Sequence, residues 1–160
     1  MSKKPTKKRS RRANVTIEEV NLIPAILEQL EKLLVEEIYV GVFGDAQMAK
    51  IAAYQEYGAP KAGIPERSFL RAGMEKHKAA VSKIVRNELK SVVELQGDVG
   101  EMMNLVGQSA ADKVKKYFEK LNDPPLKPQT IARKKDRNPK PLVNTGDIRD
   151  AIGFEVKPKG

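Results

Sequence analysis

Cysteine is missing from this 160-residue chain, tryptophan is missing as well, and there is a single histidine. The first absence excludes disulfides, thiol nucleophiles and cysteine-ligated zinc, and suits a protein made in a reducing compartment. The lone His77, set among charges in "MEKHKAAV", excludes a histidine-based metal cluster or catalytic triad within one chain. Aromatics make up only 5% of residues, too few for a run of base-stacking platforms. No apolar run approaches the roughly 18 residues that a membrane span requires, and no hydrophobic segment follows the basic N-terminus as in a secretory signal. These absences predict a soluble chain with no membrane partner, long enough to bury a core without staples.

Negative charge is lacking in one place above all. The formal net charge is +9, and "MSKKPTKKRSRR" supplies seven positive charges (Lys3, Lys4, Lys7, Lys8, Arg9, Arg11, Arg12) and no negative one. Such a run cannot collapse into a core, so residues 1–12 are expected to form a disordered or extended arm. It serves either as a solubilising tail or as a contact for nucleic-acid phosphate or an acidic partner. Residues 13–160 are expected to form a single domain.

What is present is patterned. "NVTIEEV" alternates, with Val15, Ile17 and Val20 apolar, as a short strand does. In "IPAILEQLEKLLVEE", Ile23, Ile26, Leu27, Leu30, Leu33 and Leu34 recur at helical steps, with Pro24 tolerated in the first turn. "IYVGVFG" reads as a strand that directs Ile38, Val40 and Val42 to one side and Tyr39 and Phe43 to the other. Asp45 is placed to cap a helix over "AQMAKIAAYQEY", which Gly58 ends in the left-handed conformation and Pro60 keeps from resuming. In "GAPKAGIPERSFLRAG", Ile64 is pushed extended by the proline behind it, and Pro65 is preset for the first turn of a new helix. The elbow is thus a stop, an extended span and a restart. Its Arg67, Phe69, Leu70 and Arg71 form an amphipathic cluster suited to a core or to a partner.

Two longer helices follow. One, from Met74 to about Leu95, carries Val81, Ile84, Val85, Leu89, Val92 and Val93 as a stripe. After a break at Gly97, with Asp98 as cap, the other carries Val99, Met102, Met103, Val106, Ala110, Val114, Phe118 and Leu121. Stripes of this kind are core or subunit packing. The basic, proline-punctuated stretch 124–141 reads as a long loop in which Pro128 begins a short helix. Thr145 then suits a helix cap, Ile148, Ala151 and Ile152 share a helical face, and a last strand with Phe154 and Val156 inward pairs with Ile38–Phe43. The expected fold is α+β, a small antiparallel sheet packed by several helices.

The blocks "IAAYQEYGAP…IPERSFLRAG" and, some fifty residues later, "DPPLKPQTIARK" with "KPLVNTGDIRDAIGFEV" resemble the tail-component or tail-completion family of long-tailed bacteriophages. The resemblance runs through roughly residues 38–157. Asn144, Asp147, Ala151 and Gly153 depart from the family's usual residues. The resemblance implies a virion protein of the neck or tail end, assembled in the host cytoplasm into a ring of identical subunits, a hexamer, around the DNA channel. Its implied neighbours are the connector or stopper, the tail terminator or tail tube, and genomic DNA in the lumen. Pro65, Arg67, Phe69, Leu70 and Arg71 are the candidate interface edge of such a ring, and the arm is the candidate surface for DNA or an acidic partner. No cofactor is implied.

Two other classes fit less of the chain. A free basic nucleic-acid-binding module accounts for the charge but lacks stacking aromatics and RNA motifs. An enzyme lacks a site: Glu18-Glu19 and Glu36-Glu37 read as solvated pairs, and "GVFGDAQMAK" lacks the ending of a phosphate-binding loop.

Overall fold

The computed structural model describes residues 20–134 and 147–160. The arm, the strand expected around Val15 and Ile17, and the Thr145 cap lie outside the described residues. The described chain runs α1 (Ile23–Val35), β1 (Glu36–Val42), α2 (Ala46–Tyr57), a 3-10 turn (Pro60–Ala62), α3 (Leu70–Val93), α4 (Val99–Lys120), α5 (Pro128–Arg133), α6 (Asp147–Ala151) and β2 (Ile152–Pro158). It is α+β, mostly helical, with one two-stranded antiparallel sheet.

The sheet pairs the strands that the alternating patterns single out. Ile38 faces Val156, Val40 faces Phe154 and Val42 faces Ile152. Outside the strands, Phe43 N–H donates to Ala151 O and Lys159 N–H donates to Val35 O. One face of the sheet lies on α4. Gly107 permits this approach: a Cβ there would overlap the Phe154 ring, with Cε2 and Cγ at 2.7 Å. Tyr39, on the opposite face, is exposed, as a half-buried strand requires.

Helices α3 and α4 pack along each other behind the sheet, joined by residues 94–98. Two apolar clusters fill the interior. At one end Ala52, Phe69, Val114, Phe118 and Ile152 are buried, with Val40, Val42, Met74 and Ile148 against them. At the other, Val92, Val99, Met102, Met103 and Val106 are buried against Leu33, Ile38, Val81, Ile84, Val85, Leu89 and Val156. Phe69 and Phe118 meet edge to face, with centroids 5.1 Å apart. The stripes of α3 and α4 are therefore core except for the exposed Val93, whereas the α1 stripe is not: only its Leu33 packs against a cluster, and Ile23, Leu27 and Leu34 are exposed.

Helix starts follow the sequence where the cap is local. Asp45 Oδ1 accepts from Met48 N at 2.7 Å, and Asp98 Oδ2 accepts from Gly100 N and Glu101 N. Helix ends depart from it twice. Gly58 has φ +73° but ψ 171°, so the backbone is extended in the positive-φ half, a region open almost only to glycine, and not left-handed helical. A Cβ there would also press on Glu66 N at 2.7 Å. Helix α3, expected to reach about Leu95, ends at Val93, where Leu95 takes a positive φ (58°) and Gln96 N and Gly97 N both return to Ser91 O.

Candidate functional site: the elbow and the helix start it carries

The largest departure from the sequence expectation lies in the elbow. Pro65 does not begin a helix. Residues 65–69 run outside any helix, and α3 starts only at Leu70. Ala59 and Ile64 first close a small loop on each other, Ala59 N to Ile64 O at 2.8 Å and Ile64 N to Ala59 O at 3.1 Å. Arg67 N then donates to Gln55 O at 2.8 Å, so the chain after the loop runs back alongside the end of α2.

That return path delivers the start of α3 to Glu56. Its side chain is buried, and both carboxylate oxygens are used. Oε2 accepts from the backbone of Phe69 and Leu70, each at 2.8 Å. Oε1 accepts from Ser68 Oγ at 2.8 Å, Arg71 N at 3.1 Å and Arg71 Nε at 3.0 Å. The N-terminus of α3 has no capping side chain at its own N-cap, Phe69, and is capped instead from thirteen residues upstream. A full negative charge at the positive end of a 24-residue helix is electrostatically favoured as well. Burial alone pushes the Glu56 carboxyl up, but hydrogen bonds from Leu70, Arg71, Ser68 and the Arg71 side chain outweigh it and hold it below the usual glutamate range. Arg71 binds Glu66 Oε1 at 2.7 Å with its other arm, and its guanidinium lies 4.8 Å from the Tyr57 ring.

Arg67 is buried too, at 5% exposure, yet it faces away from these carboxylates. Its Nε donates to Pro124 O at 2.8 Å and its Nη2 to Pro125 O at 3.2 Å, tying the elbow to the segment after α4. Burial pulls its guanidinium below the ordinary arginine value, with no opposing carboxylate contribution.

The five elbow residues expected to form a partner edge therefore divide. Phe69, at 1% exposure, is core and cannot supply partner surface; Arg67 is a buried clamp. Leu70 is half-buried against the first cluster. Only Pro65 and the side chain of Arg71 remain exposed. The reason is the late helix start: with α3 beginning at Leu70, Arg67 and Phe69 before it form the packed underside of the elbow. Sequence reading missed Glu56, which looks like one more surface acid at the end of an amphipathic helix. Its only signal is position, just before a glycine that turns the chain back on itself.

The described surface offers apolar side chains elsewhere. Helix α1 has no buried residue, and Ile23, Leu27, Leu34 and Val35 are each more than half exposed. Ile51, Tyr54 and Tyr57 emerge at three-residue steps from the outer face of α2. Among the described residues no group of three His, Asp or Glu side chains is placed to hold a metal, and no helix is long and apolar enough to cross a membrane. The lysines and arginines of the arm lie outside the described residues. Comparison with protein-family models, with characterised proteins and with solved structures returns no match.

Proposed function

We propose that this chain is a structural protein of a tailed bacteriophage virion that assembles as a ring at the neck or tail end, around the channel through which DNA passes. The observation that carries the reading is the pair of exposed apolar stripes on different elements: Ile23, Leu27 and Leu34 on α1, and Ile51, Tyr54 and Tyr57 on α2, the last with Arg71 over its ring. A ring needs two different surfaces per subunit that meet head to tail. Contact of α1 of one copy with α2 of the next supplies both. The elbow's part is to hold α2 and α3 in fixed relation, so that every copy presents the same angle. The two motif blocks in their order, the absence of catalytic groupings from the sequence, and the seven cations of residues 1–12 support the same reading. Multiplied by six, the arm gathers about forty positive charges near one axis, a strong attraction for DNA phosphate or an acidic neighbouring ring.

Light scattering of the purified chain, alone and with a tail-tube partner, tests it. Assembly to a closed multiple of the subunit mass is the expected outcome. Leu27→Glu combined with Leu34→Glu places two charges in the α1 stripe, and is expected to return the protein to a monomer with an unchanged helical signal in circular dichroism. A chain that stays monomeric under all conditions, or labelled virions that lack it at the neck, would overturn the reading. Deleting residues 2–12 is expected to leave the unfolding midpoint unchanged while impairing head-to-tail joining or DNA retention; particles with normal DNA content and infectivity would remove the arm from the mechanism.

A further inference from the structure

Between the elbow and the segment after α4 lies a cleft of about 430 Å³, whose lining includes Gln55, Ile64, Pro65, Arg67, Pro124 and Lys127. Two cations face it without a counter-ion. Arg67 meets only the carbonyls of Pro124 and Pro125, which occupy its Nε and Nη2, and Nη1 makes no hydrogen bond among the described residues. The acids nearest to it in the elbow are already committed, since Glu56 and Glu66 both bind Arg71. Lys127 extends its ammonium over the loop, 3.8 Å from where a Cβ on Gly63 would stand, and has no ion pair among the described residues. A guanidinium withdrawn this far from water is costly unless an anion meets it. In the same wall the Gln55 side-chain oxygen is buried and accepts no hydrogen bond.

We propose that this cleft is a socket for an acidic side chain of a partner polypeptide, with Arg67 Nη1 and Lys127 holding the carboxylate and Gln55 Oε1 accepting from a partner N–H. The neighbouring chemistry favours a carboxylate over phosphate. The two carbonyls take two of the five guanidinium N–H groups and leave one outer edge, beside the point charge of Lys127. Walls of isoleucine and proline suit the alkyl stem of Glu or Asp and oppose a strongly hydrated dianion. An orphan acceptor oxygen repels a bare anion but fits a peptide, which brings donors of its own. The socket is independent of how many copies assemble.

The test is nuclear magnetic resonance of the full chain, following the Arg67 Nε–H, the Gln55 side-chain amide and the Ile64 backbone amide. The probe is an N-acetylated, C-amidated tetraglutamate peptide, with inorganic phosphate and a short single-stranded oligonucleotide as separate arms. Saturable shifts of these three signals with the peptide are expected. Because Arg67 also ties down Pro124 and Pro125, the deciding variants are Lys127→Ala and Gln55→Leu. Each is expected to weaken the peptide about fivefold, with Lys120→Ala as the unaffected control. Shifts that do not saturate, equal affinity in Lys127→Ala, or tighter binding of phosphate or oligonucleotide than of peptide at these signals would overturn the proposal.

Discussion

Replacing Glu56 with alanine is expected to lower the unfolding midpoint by about 6–12 °C, equivalent to about 3 kcal/mol in a chain of this size. The loss has three parts. The backbone N–H groups of Phe69, Leu70 and Arg71 lose their acceptor, and the first two sit at the buried or half-buried start of the longest helix. Ser68 and Arg71 lose the anchor that holds them against α2. A pocket then opens beside Phe69, whose ring is the hinge of one core cluster. Glu56→Gln separates charge from shape. All five contacts to the carboxylate come from donors, so an amide NH₂ facing either set meets donors in place of acceptors. Glutamine is therefore expected to lose at least half as much as alanine.

The pH dependence follows with a definite sign. The Glu56 carboxyl is held below its ordinary value, about 4.3 for a free glutamate. Its contribution is complete above that unfolded value and is lost as pH falls through the lower folded value. Midpoints measured from pH 7 downward should thus fall below about pH 4 in the natural chain and fall less in Glu56→Gln. Equal slopes in the two proteins would show that the cap is not ionised.

Gly107→Ala carries the second large effect, and its direction opposes helix propensity. In an exposed helix interior the change is favourable by about 1 kcal/mol. Here the new Cβ falls inside the Phe154 ring, which β2 holds against α4 with Val40 as cross-strand neighbour. The ring must tilt or the sheet must lift, and overpacking of this kind costs about 1–3 kcal/mol. The overlap with the ring places the cost at the upper end of that range, so after the helix gain of about 1 kcal/mol the expected net loss is about 2 kcal/mol, or about 4–8 °C in midpoint. Trimming Phe154 to leucine in the same chain should restore part of it, giving a coupling of more than about 0.5 kcal/mol in a double-mutant cycle. Additive single and double mutants would place the strain elsewhere than in this contact.

The sequence by itself determined whatever depends on periodicity and on caps within reach of their own helix. The stripes of α3 and α4 are core because their spacing leaves them no other face, and Asp45 and Asp98 cap because the carboxylate and the N–H groups are separated by only two or three residues. The pairing of Ile38 and Val40 with Val156 and Phe154 follows from alternation in both strands, whereas Ile152, which shares a helical pattern with Ile148 and Ala151, instead opens β2 opposite Val42. The tertiary structure alone decided the elbow. Pro65 is locally suited to open a helix, but a helix start also needs an acceptor for its first amides, and that acceptor is Glu56, brought up only when the chain folds back along α2. Once Glu56 accepts from Phe69, Leu70 and Arg71, Phe69 turns into the core and Arg67 toward Pro124, deciding between the core and partner roles that their neighbourhood in the sequence leaves open. Local pattern sets what a segment prefers; which long-range partner completes its hydrogen bonds sets where it begins.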